Sequence, residues 1–225
     1  MPETSITLYT YFRSSCSARL RIALNLKSLP YTSIPINLLA NEQHTPANLA
    51  RNPSGTVPTL VLTSSNGASS IKITQSLAAL EYLDEAFPDT PPLLPRDPAT
   101  RAIVRTLAAI IACDVQPVTN LKILKRVAEL GAQREEWARG LIEQGLRAYE
   151  GVISGSAGVY SVGDAVTMAD VCLVPAVWGA ERFGVDVHRE FPVIAGVVAR
   201  LEGLEAFTRA HWARQLDTPA ELRID

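Results

Sequence analysis

Arg13-Ser14-Ser15-Cys16-Ser17-Ala18-Arg19-Leu20-Arg21-Ile22-Ala23-Leu24 separates two periodicities. Before it, Ile6-Thr7-Leu8-Tyr9 alternates as a short strand does. Within and after it, Leu20, Ala23, Leu24 and Lys27 recur at helical spacing, so the serines fall where a strand hands over to a helix. The first turn of a helix leaves backbone N–H groups without intrahelical partners, and the macrodipole puts partial positive charge at the same end. A thiolate or alkoxide would be stabilised there. Ser14 and Ser15 offer hydroxyl donors, Cys16 a thiol that such a place could ionise, and Arg13, Arg19 and Arg21 add positive field. The plainer reading makes Ser14 or Ser15 a helix cap and nothing more. Three hydroxyl or thiol groups in succession exceed what one cap needs. A redox disulfide of the CxxC kind is disfavoured, because Arg19 stands where the second cysteine belongs.

Outward from this junction the first third of the chain alternates strands and helices. Tyr31 to Ile36 reads as a second strand, completing a βαβ unit whose crossover implies parallel pairing. A short helix near Thr45 to Arg51 and a turn at Asn52-Pro53-Ser54-Gly55 follow. Val57 to Leu62 and Ile71-Lys72-Ile73 flank the polar run Ser64-Ser65-Asn66-Gly67, the pattern of an antiparallel hairpin. Gln75 to Phe87 places Leu77, Leu80 and Leu83 on one helical side. Pro58 enters an otherwise buried strand, and a cis Val57-Pro58 bond is the expected accommodation; it would turn the Val57 N–H and C=O toward an extended peptide. An edge-strand proline without a ligand role is the alternative.

Five prolines between Pro88 and Pro98 mark a stiff connector, after which the pattern is helical throughout. The expected division is residues 1–87, a linker at 88–98, and a helical domain over 99–225. Its helices read as Arg101 to about Leu130, Arg134 to Ile153, Met168 to Phe183, and two shorter ones ending near Arg214. Gln116-Pro117 should kink the first of these, with Gln116 and Asn120 on one face. By themselves those two read as a solvated face. Thr167-Met168-Ala169-Asp170 is a capping box, and Asp170 is read as structural. Cys113 and Cys172 sit among aliphatic residues and read as inert core. His44, His188 and His211 have no metal spacing, so no metal site is expected.

The 225 residues carry a formal charge of -2, which gives no electrostatic reason to expect nucleic acid or an anionic membrane as partner. An odd number of cysteines points to a reducing compartment. No secretory pattern is visible, and no stretch reads as long enough to span a membrane, so the cytoplasm is the default.

A strand–helix–strand then strand–strand–helix domain, joined by a proline linker to an all-helical one, is similar to the cytosolic glutathione transferases: a thioredoxin-like α/β domain followed by an all-α domain. Tyr11-Phe12-Arg13-Ser14-Ser15-Cys16-Ser17 with Arg19 to Leu24 resembles the signature of the zeta class, whose activity is maleylacetoacetate isomerisation. The resemblance runs on through Val57-Pro58-Thr59-Leu60, Gln75-Ser76, Gln116-Pro117, Thr167 to Asp170, Ala180 to Phe183 and Asp217-Thr218-Pro219, and so covers nearly the whole chain. Ala18 departs from it, where a larger residue is common. The hairpin loop, Thr63 to Ser70, is longer than usual and should be a surface insertion.

The resemblance implies glutathione as cofactor and a homodimer. Ser14 would hydrogen-bond the glutathione sulfur with Ser15 and Cys16 beside it, and the cofactor set would include Ser17, Arg19 and Pro58. Gln43 and Val57 would hold the tripeptide backbone, and Gln75 and Ser76 its γ-glutamyl end. Gln116, Asn120 and Leu121 would approach from the second domain. Arg13 and Arg182 would bind a small dicarboxylate substrate. Conjugate addition of the thiolate removes double-bond character, allows rotation, and returns the glutathione. The rivals are a broader transferase acting on α-halo acids, a non-catalytic module used for assembly, and a reductase working through Cys16 alone.

Overall fold

The computed structural model describes residues 4–65, 67 and 69–224. The expected hairpin loop therefore lies partly outside the described residues, at Asn66 and Ala68. The chain divides into two compact units, Met1–Pro92 together with Glu205–Asp225, and Leu93–Leu204.

In the first unit, β1 (Thr4–Thr10) buries alternate residues Ile6, Leu8 and Thr10, as period two requires. After α1 (Ser15–Leu26), β2 (Thr32–Pro35) pairs parallel to β1, with Thr7 opposite Thr32. A 3-10 turn (Glu42–His44) and α2 (Pro46–Leu49) lead to β3 (Thr59–Ser64), antiparallel to β1 on its other side. β4 (Ser70–Ile73) closes the hairpin, so the strand order is β2-β1-β3-β4, and α3 (Ser76–Ala86) follows. Leu8, Leu20, Leu24, Leu60, Leu80 and Leu83 are wholly buried and form this unit's core. Each contributes about 1.5–3 kcal/mol of transfer free energy.

Two boundaries differ from the sequence reading. Residues 205–225, expected with the helical domain, belong to the first unit. There α11 (Glu205–Ala210) packs on α1, Asn25 Nδ2 donates to the Ala206 carbonyl (3.0 Å), and Arg21 Nε donates to that of Ala210 (3.2 Å). Arg21 is wholly buried, so its guanidinium must find acceptors inside the protein. The segment read as a linker is also divided between the units. Lys27, its side chain fully buried, donates to Asp84 (2.8 Å), Thr90 Oγ1 (3.0 Å) and the Pro91 carbonyl (2.9 Å), while Leu93 and Leu94 are buried in the second unit.

The second unit is helical: α4 (Pro98–Ala109), a π-helical turn (Ile110–Val115), α5 (Gln116–Thr119), α6 (Leu121–Glu129), α7 (Arg134–Ile153), α8 (Met168–Arg182), α9 (Val187–Glu190) and α10 (Pro192–Glu202). The kink foreseen at Gln116-Pro117 is resolved as the π turn before it and an extended residue, Asn120, after it. Pro117 has no N–H for the ladder, and its ring crowds the preceding turn. Within the π turn Ile111 and Val115 are buried and Cys113 is exposed, which corrects its reading as core; Cys172 is buried. A close approach permits this packing, since a Cβ on Gly145 of α7 would collide with Val115. The box at the start of α8 forms as expected. The Asp170 carboxylate accepts the N–H groups of Thr167 (2.7 Å) and Ser161 (2.9 Å).

The expectation about membrane spans needs a correction too. By length and composition alone, Pro98–Glu129 could cross a bilayer. That run is interrupted at Asn120, and it buries Val104, Leu107, Ala108, Ile111 and Val115 inside its own unit.

Candidate active site

Register decides which residues meet. Tyr9 lies opposite Thr59 and Leu60 opposite Ile73, so continuing the register by one residue brings Thr10 level with Pro58, and by two brings Pro58 level with Gln75. The exit of β1 toward Ser14, the entry of β3 at Val57-Pro58 and the exit of β4 toward Gln75-Ser76 therefore share one end of the sheet. β2 ends there as well, because the Ile36 N–H donates to the Thr10 carbonyl (2.7 Å). The 3-10 turn carrying Gln43 follows from it. The Val57-Pro58 peptide is cis.

At this end Ser14 is the N-cap of α1. Its backbone is extended (φ -76°, ψ 116°), and its Oγ accepts the Ser17 N–H at 3.2 Å. The cap uses a lone pair of the hydroxyl oxygen and leaves the O–H as a donor. Capping and thiolate binding are thus compatible rather than alternatives. No acidic side chain stands in the first turn of α1, and the Ser15 and Cys16 N–H groups lie where the helical ladder cannot reach them. Ser14, Ser15 and Cys16 are half-buried at the surface of the unit.

The second helix start, at Ser76, also lacks acidic residues, and Gln75 precedes it without a side-chain cap bond. Arg19 joins the two starts. It is 2% exposed, and its Nη1 donates to Ser76 Oγ at 3.1 Å. Positive charge is thereby held behind both helix ends rather than at the surface. Ser17 is buried likewise. Arg13 lies over the Phe12 ring, 5.3 Å from its centroid. Gln43 is buried, its carbonyl accepting Asn48 Nδ2 (3.0 Å), while its Oε1 has no hydrogen-bond partner among the described residues. The same holds for the buried Thr59 Oγ1, which the sequence reading passed over. A polar β-branched residue beside Pro58 at a core register position was the available signal.

The loop before Ser14 is held from behind by Arg21, which donates to Thr10 Oγ1 (3.0 Å), the Phe12 carbonyl (3.0 Å) and the Tyr11 carbonyl (3.5 Å). Burial pulls the Arg21 pKa down to about 10, against the opposing fields of Tyr31 and Asp217, so the side chain stays charged at neutral pH.

The remaining expected residues belong to the second unit. Gln116 opens α5. Asn120 caps α6, its Oδ1 accepting the Ile123 N–H (3.0 Å) and its Nδ2 donating to the Pro117 carbonyl (2.9 Å). Leu121 is the first residue of α6, and Arg182 is exposed at the end of α8, 4.8 Å from the Phe183 ring centroid.

A four-stranded β2-β1-β3-β4 sheet that gathers two uncompensated helix starts and a cis X-Pro bond at one end, followed by an all-helical unit, defines a thioredoxin-like transferase architecture. Comparison with known proteins agrees. Residues 13–86 match the glutathione S-transferase N-terminal domain and residues 118–205 the C-terminal domain. The chain is 61% identical over 222 residues to the maleylacetoacetate isomerase maiA of Aspergillus fumigatus, covering 97% of this chain and 95% of the relative. A crystal structure of maleylacetoacetate isomerase from Anaeromyxobacter dehalogenans, with dicarboxyethyl glutathione and citrate in its active site, superposes with a TM-score of 0.88 at 39% identity, covering 97% of this chain and all of that one. A bacterial maleyl pyruvate isomerase, described as a zeta-class glutathione S-transferase, gives 0.87 at 41%, covering 95% and 100%. The chain belongs to the glutathione S-transferase family, in its zeta class.

Proposed function

We infer that the chain is a maleylacetoacetate isomerase, converting maleylacetoacetate to fumarylacetoacetate with glutathione as cofactor, a step of tyrosine and phenylalanine breakdown. The observation that carries this reading is a hydroxyl-capped, acid-free helix start at the ligand end of the sheet, in a chain 61% identical along its length to a named isomerase.

The residues present suit glutathione. Gln43 Oε1 is a buried acceptor in want of a donor, as a bound peptide's N–H would supply, and the acid-free start of α3 suits a carboxylate. When bound, glutathione supplies a thiolate that adds to the conjugated double bond and leaves after rotation about the resulting single bond, with no net change in electrons or protons. Ser14 donates its O–H to the sulfur, and the Ser15 and Cys16 N–H groups add dipole, keeping the thiol ionised near neutral pH. Val57 offers its N–H and C=O to the tripeptide backbone beside Pro58, and Gln75 and Ser76 take the γ-glutamyl end. Arg19 and Ser17 support these contacts from within. Arg13 pairs with a substrate carboxylate; of the second unit's residues, Arg182 is the candidate for the same role toward substrate, and Gln116, Asn120 and Leu121 are the candidates for cofactor contacts. Two carboxylates on a saturated carbon pair, as in the dicarboxyethyl group of the solved relative's ligand, are what thiol addition to a butenedioate leaves.

Family membership supports a homodimer, checked by light scattering, and the three free cysteines support a reducing, cytoplasmic setting. The deciding experiment follows maleylacetoacetate conversion with and without glutathione while total thiol is titrated. Turnover that depends on glutathione without consuming it is expected. Consumption of glutathione, or conversion indifferent to it, refutes the reading.

A further inference from the structure

The C-terminal segment reaches back to the loop that carries Ser14. The Phe12 N–H donates to Asp217 Oδ2 at 2.8 Å, and the Phe12 carbonyl accepts from Arg21 Nη2 at 3.0 Å. Both polar ends of that residue are therefore held by charged partners. One residue earlier, the Tyr11 carbonyl accepts the Ser14 N–H at 3.0 Å and also faces Arg21 Nη1. The turn from Tyr11 to Ser14 thus rests on two ionic groups, one of them 205 residues away in sequence from the residue it holds. Asp217 is itself delivered by a pinned segment. Thr218 Oγ1 donates to the Trp212 carbonyl (2.5 Å), and Gln215 Nε2 to that of His211 (2.8 Å). Arg223 donates to the carbonyls of Thr218 and Leu216 (2.8 Å each).

We propose that Asp217 is a positioning residue for catalysis: with Arg21 it clamps the Phe12 peptide and so sets where the Ser14 hydroxyl stands relative to the bound sulfur. This rests on the isomerase reading for its kinetic consequence and on the hydrogen bonds alone for its structural one. A donor must lie within hydrogen-bond reach of the sulfur, and small displacements in such sites are costly. Of glutathione's contacts only the one from Ser14 to the sulfur depends on the clamp, while those to its backbone and γ-glutamyl end do not, so its loss falls on turnover more than on KM.

The test compares three variants of the full chain. Asp217→Ala removes the acceptor, Asp217→Asn keeps an acceptor of the same size, and Asp217→Glu keeps the charge but moves it by one methylene. Hydrogen exchange of the segment Phe12 to Cys16 is expected to quicken in Asp217→Ala relative to α7, and less so in Asp217→Asn. With glutathione and maleylacetoacetate, kcat is expected to fall about tenfold in Asp217→Ala, with KM for glutathione little changed and the acid limb of the kcat–pH profile moved upward. Asp217→Asn should recover most of that loss. If Asp217→Ala fails to fold, Asp217→Glu decides, and it should show impaired kcat where Asp217→Asn does not. Wild-type exchange and wild-type pH profile in either Asp217→Ala or Asp217→Glu would overturn the proposal. A wild-type enzyme without glutathione-dependent turnover would instead sink the isomerase reading, leaving the exchange comparison to judge the clamp.

Discussion

Ser14→Ala separates the two duties placed on one oxygen. In the cap, Oγ accepts the Ser17 N–H at 3.2 Å, and removing it costs about 1 kcal/mol. For a chain of this length that lowers Tm by about 2–4 °C. The second loss is the O–H donor proposed above for the thiolate, which as a charge-assisted bond is worth about 1.5–3 kcal/mol. At 1.36 kcal/mol per pH unit, that loss raises the pKa of the bound thiol by about one to two units. Once the pKa passes the assay pH, the ionised fraction and the turnover at pH 7 fall about tenfold or more. Ultraviolet titration of the bound thiolate and isomerase kinetics read the effect directly.

Ser14→Asp dissociates the terms. Aspartate is a good N-cap, and negative charge suits a helix N-terminus, so Tm should stay near the wild-type value. A carboxylate beside the sulfur repels a thiolate, so turnover should drop further than in Ser14→Ala. Full turnover with an unchanged thiol titration in Ser14→Ala, or wild-type activity in Ser14→Asp, would refute the assignment and pass the donor role to Cys16 or the backbone.

Other perturbations test the frame around the site. Lys27→Met leaves Asp84 (side chain 12% exposed) without its ammonium partner, and urea unfolding should show a loss of about 3 kcal/mol, at the low end for a broken buried pair. Gly145→Ala drives a methyl into Val115 and should cost about 1–3 kcal/mol, largely relieved in the double variant with Val115→Ala; strict additivity would disprove the contact. His211 has its pKa lowered by burial first and then by Arg214 and Arg21, so the unfolded chain binds a proton that the folded one refuses. Stability from this group is present above about pH 6.5 and is lost as pH falls toward the lower folded value. His211→Gln should flatten the decline of Tm with acidification, and identical slopes would count against it.

Local features were legible in the sequence because they have local causes. Strand period, helix period and the serine run between them located the α1 start to within a residue, and Pro58 in a buried run announced the cis bond that is present. Gln75 and Ser76 were placed at a helix start by the same logic. What escaped depends on partners far along the chain. Residues 205–225 show the same helical spacing as their neighbours, and nothing in that spacing says which unit they cover. Contacts with α1 and the loop before it decide it: the buried Arg21 donates to the Ala210 carbonyl, Asn25 to that of Ala206, and the Phe12 N–H to Asp217. The exposure of Cys113 likewise follows from a π turn whose buried residues, Ile111 and Val115, are set by packing near Gly145.

Arg19 and Arg21 make the same point from the other side. In sequence they look like equivalent positive charges adding field beside the serines. The helix turns them inward, two residues apart and both wholly or nearly buried. Arg19 ties the start of α1 to Ser76 at the start of α3, while Arg21 ties the loop before Ser14 to the C-terminal segment. A buried guanidinium is costly unless its donors are used, and each is worth keeping only where it fixes the relative placement of segments that chain connectivity leaves independent. Placed here, they hold the loop before Ser14 and the starts of α1 and α3 together at one end of the sheet. Precision at Ser14 is therefore built from residues that need not touch the substrate, and kinetic effects should extend to the last turn of the chain.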